Sequence, residues 1–69
     1  MDMRLVYHYA EIDQSDNMCI GVHTGTHTSD DPNWVEIPVY DDVFMYKYYD
    51  WDSGKWFYDS AMTQEFIYS

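Results

Sequence analysis

The sequence predicts an all-β domain, a small antiparallel meander of four to five strands with room for one short C-terminal helix. Three observations lead there. Segments rich in β-branched and aromatic residues alternate with a period of two. Clusters of Asp, Asn, Ser and Gly separate them at short intervals, as hairpin turns require. Fourteen aromatics (three Trp, eight Tyr and three Phe) in 69 residues supply burial that so short a chain needs, because it hides only about 60% of its unfolded surface.

The elements follow in order. Residues 4–12, RLVYHYAEI, form the first strand, with Leu5, Tyr7 and Tyr9 on one face and Val6, His8, Ala10 and Ile12 on the other. DQSDN is a turn whose Asp and Asn side chains can bond their own backbone. MCIGVHTGTHT alternates Met18, Ile20, Val22, Thr24 and Thr26 against Cys19, Gly21, His23, Gly25 and His27. The second set is small or polar, so that face is expected to be solvated or closely approached by another backbone. After the break SDDPNW, the segment WVEIPVY alternates Val35, Ile37 and Val39 against Trp34, Glu36 and Tyr40. Pro38 has no N–H to give a ladder, which makes this an edge strand or an irregular extended segment. VFMYKYY is the fourth strand. DWDSG turns, with Gly54 suited to the left-handed conformation and Asp50 and Asp52 as backbone acceptors, and KWFYD is the fifth strand. In the tail SAMTQEFIYS, either Ser60 caps a short helix or the segment extends the sheet.

Length and charge narrow the function. Residues 1–69 make one domain, with no room for a second core. The single cysteine, Cys19, cannot form an intramolecular disulfide, and no Cys-x-x-Cys zinc signature is present. Ten of the thirteen acids are aspartate, and the net charge is -10. Phosphate contacts need lysine and arginine, so direct nucleic-acid binding and attachment to an anionic membrane are not expected. No apolar run approaches the roughly 18 residues of a membrane span. The start, MDMRLVYHYAE, has no apolar signal-peptide core, which reads as synthesis in the cytosol, and Met1–Asp2 could precede an alternative start at Met3.

Chemistry finds little support. His23 and His27 are four residues apart, which on a strand is about 13 Å, too far for one metal ion. A cross-strand pairing of His8 with His23 is the one histidine arrangement that could hold a metal; a polar strand face is the simpler reading, and no metal or cofactor is expected. Cys19 has no cation near it in sequence to lower its pKa and reads as a small buried hydrophobe. Ser53 and Ser60 belong to no nucleophile pattern, and a small sheet rarely provides a cleft for paired carboxylates, so the chain is not expected to be an enzyme. DWDSG lacks the third acidic position and the distal glutamate of a calcium loop.

The richest stretch is YKYYDWDSGKWFYD, residues 46–59, with seven aromatics and three aspartates. Alternation puts Phe44, Tyr46 and Tyr48 opposite Met45, Lys47 and Tyr49, then Trp56 and Tyr58 opposite Lys55, Phe57 and Asp59. Both faces are aromatic, more than one small core can absorb, so one face is expected to meet a protein partner. The candidate protein-binding residues are Tyr46, Tyr48, Tyr49, Trp51, Trp56, Phe57 and Tyr58. A homodimer broken by Trp56→Ala is the simplest form of that expectation. Asp41, Asp42, Asp50, Asp52 and Asp59 form a candidate acidic surface. It either keeps an aromatic sheet soluble or imitates phosphates toward a basic host protein. A third reading uses Tyr49, Trp51 and Trp56 as a sugar platform.

Several segments in order, LVYHY, CIGV, VEIPVYDD, YKYYD and GKWFYD, resemble the small proteins encoded beside tail-fibre and minor structural genes of phages that infect Gram-positive bacteria. Such proteins commonly end with a Gly-Lys-Trp hairpin, matched here by Gly54, Lys55 and Trp56. The resemblance implies a phage-encoded, tail-associated accessory protein made in the host cytoplasm and able to join the virion, and it brings no catalytic residues. HTGTHT and the charge of -10 lie outside that pattern, which leaves room for the acidic anti-defence inhibitor as the alternative.

Overall fold

The computed structural model describes residues 6–68; the predicted strand start at Arg4 and Leu5 and the alternative start at Met3 lie outside them. Six strands form one open sheet: β1 (Tyr7–Asp13), β2 (Met18–Gly25), β3 (Trp34–Ile37), β4 (Tyr48–Asp50), β5 (Lys55–Phe57) and β6 (Glu65–Phe66). Their order is β3-β1-β2-β4-β5-β6, and every neighbouring pair is antiparallel. The all-β class expected from the residue pattern is thus the class observed.

The β1–β2 hairpin is closed by Asp13. Its Oδ1 accepts the Ser15 N–H at 3.0 Å and the Ser15 hydroxyl at 2.7 Å, and its carbonyl accepts the Asn17 N–H at 2.6 Å. Asn17 sits at φ 65, a left-handed conformation that asparagine tolerates better than most residues. Past the turn, Ile12 pairs with Cys19 but Glu11 pairs with Gly21, so Ile20 is the extra residue of a β-bulge. The bulge overturns the strict alternation expected of this strand. Cys19 and Val22 both turn to the core, whereas Ile20 is 44% exposed.

The strand order departs from a simple meander at β3. It pairs with β1, from His8↔Ile37 to Glu11↔Trp34, and so runs parallel to β2 with β1 between them. Residues 26–33 must therefore travel the length of β1. The Ser29 N–H donates to the Tyr9 hydroxyl at 2.9 Å and the Ile12 N–H to the Asn33 carbonyl at 2.8 Å, which pins that connection at both ends. Pro38 follows β3 immediately, at the sheet edge where its missing N–H costs no ladder bond.

Residues 43–47 are not the strand that the aromatic alternation predicts. Asp41 accepts the Val43 N–H at 3.0 Å and caps a short 3-10 helix, Asp42–Phe44. A carboxylate at that position offers the backbone a local bond that competes with a sheet ladder. Tyr46 then takes φ 66, and Phe44 turns inward to 2% exposure. Two bonds stitch the segment to β2, Cys19 N–H to the Lys47 carbonyl at 2.8 Å and Tyr46 N–H to the Cys19 carbonyl at 2.9 Å.

The β4–β5 hairpin has the turn expected of it. Gly54 lies at φ 73 and donates its N–H to the Asp50 carbonyl at 2.8 Å, while the Asp50 carboxylate accepts from the Asp52 N–H and the Ser53 hydroxyl. Asp52 departs from expectation by offering its N–H rather than its carboxylate.

The tail resolves as strand, and Asp59 rather than Ser60 organises it. The Asp59 carboxylate accepts the Thr63 and Gln64 N–H groups, each at 3.0 Å, and Met62 turns at φ 58. The chain returns with Trp56↔Phe66 and Phe57↔Glu65.

These bonds set a pH response. The Thr63 hydroxyl and the Gln64 N–H hold Asp59 below its ordinary pKa of 3.8, and the Ser15 N–H and hydroxyl do the same for Asp13. A depressed carboxylate contributes stability that is present above the unfolded value and lost as pH falls through the folded one. Asp59→Asn should therefore lower the urea midpoint at pH 5.5, and the gap from wild type should be narrower at pH 2.5. An equal gap at both pH values would refute this reading of the turn.

One hydrophobic cluster joins Ala10, Ile12, Cys19, Ile37, Phe44 and Phe66, with Val22, Val35, Val39, Val43, Met45, Tyr49 and Trp56 packed against it. The 39–45 segment thus covers one face of the sheet. Burial pushes the Cys19 thiol above its ordinary pKa, in keeping with the inert buried cysteine expected of it.

Candidate protein-binding face

Strand register sorts the side chains into two faces. On the covered face lie Ala10, Ile12, Cys19, Val22, Val35, Ile37, Tyr49, Trp56 and Phe66. On the other lie Tyr9, Glu11, Met18, Gly21, His23, Trp34, Glu36, Tyr48, Asp50, an exposed Lys55, Phe57 and Glu65. Tyr9 is buried there beside the 26–33 connection; Met18, His23, Trp34, Tyr48 and Phe57 stay half-buried, and Glu36 and Glu65 are exposed. The single Met18↔Tyr48 pair joins the two halves of the sheet and makes this second face continuous.

The aromatic residues expected to bind a partner do not share one surface. Tyr49 and Trp56 belong to the core: Trp56 lies 5.1 Å from Phe44 and 5.0 Å from Tyr49 between ring centroids. Tyr48 and Phe57 lie on the opposite face. Tyr46, Trp51 and Tyr58 stand on loops, exposed by 66%, 41% and 55%. The Trp51 indole N–H donates to Asn17 Oδ1 at 3.1 Å, and its ring meets Tyr49 edge-on at 89°. Tyr49 and Trp56 are tilted by 56°, so these three rings do not form the flat platform that sugar stacking uses.

Of the acidic set, Asp41, Asp50 and Asp59 serve local turns, and Asp41 also accepts the Tyr68 hydroxyl at 3.2 Å. Asp42 and Asp52 are exposed.

The sequence reading missed a cluster on the open face. The His23 imidazole stacks on Trp34, centroids 4.3 Å apart and planes within 2°, and its Nε2 lies 2.9 Å from Glu11 Oε1. Tyr9 meets Trp34 at 5.9 Å. The ring of His23 rests over Gly21, where an added Cβ would sit 3.0 Å from Nε2. The small residue in this strand thus admits a side chain of its own strand, not another backbone. The available signal was the placement of a glycine two residues before a histidine; the distant Trp34 carried none.

His8 and His23 do not meet. Register pairs His8 with Thr24, and its Nδ1 lies 3.0 Å from the Thr24 hydroxyl, on the face opposite His23. Among the described residues, no three His, Cys, Asp or Glu side chains converge to hold a metal. Among them also, no helix is long and apolar enough to cross a membrane. Among the described residues, Val6, His8, Glu36, Ile37 and Pro38 line a surface cavity.

Compared with protein-family models, curated proteins and solved structures, the chain matches none.

Proposed function

We propose that this chain is a non-catalytic protein-binding domain that assembles with a partner through the open face of its sheet. One observation carries the reading: a single internal layer covers one face, while the other leaves Met18, His23, Trp34, Tyr48 and Phe57 half-buried. Half-buried aromatics gain most from a second surface, since tyrosine and tryptophan dominate binding hot spots once water is excluded. The resemblance to small phage tail-associated proteins supplies the setting, a tail accessory component that docks on a neighbour.

The test separates the two faces. A tagged chain captures its partner from the cell that makes it, and Tyr48→Ser/Phe57→Ser should reduce that capture at least about tenfold, as the loss of hot-spot aromatics does. The variant should keep the wild-type circular dichroism spectrum, because neither ring belongs to the core cluster. Capture equal to wild type by a folded double variant would overturn the assignment of this face.

A further inference from the structure

We infer that β6 is a dimerisation edge: it pairs antiparallel with β6 of a second copy, centred on Phe66, and joins two six-stranded sheets into one. The inference concerns the rim of the sheet and stands apart from the open face.

The hydrogen-bond pattern fixes which backbone groups point outward. The Tyr58 N–H donates to the Gln64 carbonyl at 2.8 Å, and Trp56 faces Phe66 in the same ladder. Bonded and non-bonded pairs alternate along an antiparallel ladder, so Glu65, opposite Phe57, turns its N–H and C=O away from β5. Ile67 follows with the same parity and is 72% exposed. Because β6 ends the sheet, this outward row is a template for another strand.

The opposite edge is blunted. The Ile12 N–H bond to the Asn33 carbonyl sets the parity of β3, which puts Trp34 and Pro38 in its outward row. The Trp34 N–H already donates to the Asp31 carbonyl at 3.1 Å, and Pro38 has no N–H. A head-to-tail contact of β6 on β3, which would propagate into fibres, is thereby disfavoured. Pairing of β6 with β6 closes as a two-fold dimer.

Charge selects the register. Centring the pair on Glu65 would set carboxylate against carboxylate, whereas centring it on Phe66 sets Glu65 against Ile67 of the copy. Within one chain, the β5–β6 register continued by one residue brings Ile67 beside the exposed Lys55, which faces Asp50 on its other side. Each Glu65 then has Lys55 of the copy two strand spacings away, roughly 10 Å at about 4.8 Å each, a span that two long side chains bridge. The two-fold axis repeats the pairing and sets both open faces on the same side of the joined sheet.

Sedimentation equilibrium of the full chain tests this, in about 0.5 M NaCl so that repulsion between chains of net charge -10 is screened. The wild type should dimerise. Ile67→Glu should weaken the dimer at least about fivefold, because the axis sets two carboxylates against two. Ile67→Lys should keep wild-type affinity within about twofold, and the exchange Glu65→Lys/Ile67→Glu should restore it. Ile20→Glu and Ile20→Lys, on the exposed bulge of β2, make the same changes in net charge far from this edge and should leave the dimer unchanged. Urea midpoints confirm that each variant is folded. A wild type still monomeric at about 1 mM would overturn the inference. So would equal losses from Ile67→Glu and Ile20→Glu, or loss of the dimer in both Ile67→Lys and the exchange. A dimer dissolved by Tyr48→Ser/Phe57→Ser but untouched by Ile67→Glu would overturn it too, by moving the contact to the open face.

Discussion

Phe44→Ala should leave this domain largely unfolded in water at 25 °C. Phe44 is 2% exposed and meets the rings of Trp56, Phe66 and Tyr68 at 5.1, 5.7 and 5.4 Å. It is the residue by which the 3-10 segment covers the sheet. Truncating a buried phenylalanine to alanine costs about 3–5 kcal/mol, the lost transfer energy plus the cavity left behind. A chain of this length holds only about 3–10 kcal/mol in total, at roughly 0.05–0.15 kcal/mol per residue. Phe44→Leu, which keeps most of the volume, should cost less than about 1.5 kcal/mol and stay folded. Urea titrations followed by tryptophan fluorescence and circular dichroism measure both. An alanine variant within about 1 kcal/mol of wild type would show that the segment does not hold the core.

Trp56→Ala is expected to act on stability rather than on association. The sequence alone suggested the opposite, a dimer held by Trp56. In the structure, Trp56 packs under Phe44, beside Tyr49 and opposite Phe66, on the covered face. Its truncation should cost about 3 kcal/mol, the low end for a tryptophan because the ring is only half-buried. The folded fraction of Trp56→Ala should still capture the partner that Tyr48→Ser/Phe57→Ser loses. The two variants thus form a crossed pair, one losing stability with binding retained and the other the reverse. A Trp56→Ala protein with the urea midpoint of wild type but no capture would place the interface on the wrong side of the sheet.

Most of the architecture was readable from residue order, because the information lies within a few positions of where it acts. Period-two alternation marked β1, β2 and β3, and Pro38 marked an edge. Gly54 marked a left-handed turn, and Asp50 and Asp13 closed loops of the composition expected of them. Such signals are local, since a turn residue bonds backbone two or three positions away. The errors arose where one local signal masked another. Aromatic alternation over 43–49 predicted a strand, but Asp41 capped a helical turn there. Ser60 was the obvious cap of the tail, yet the carboxylate one residue earlier accepts two backbone N–H groups and the Thr63 hydroxyl.

The assignment of faces needed the assembled sheet. One unpaired residue, Ile20, shifts the register so that Cys19 and Val22 share the core side, and nothing in the sequence announces that bulge. The return of β3 to the far side of β1 brings Trp34 over His23, eleven positions away in the chain. Residue types and turn positions therefore determined that this is a small acidic β domain with more aromatic surface than its core can use. Which aromatics are spent inside and which are left for a partner was decided by register and strand order, because a side chain's face inverts with each one-residue slip and depends on contacts between distant segments.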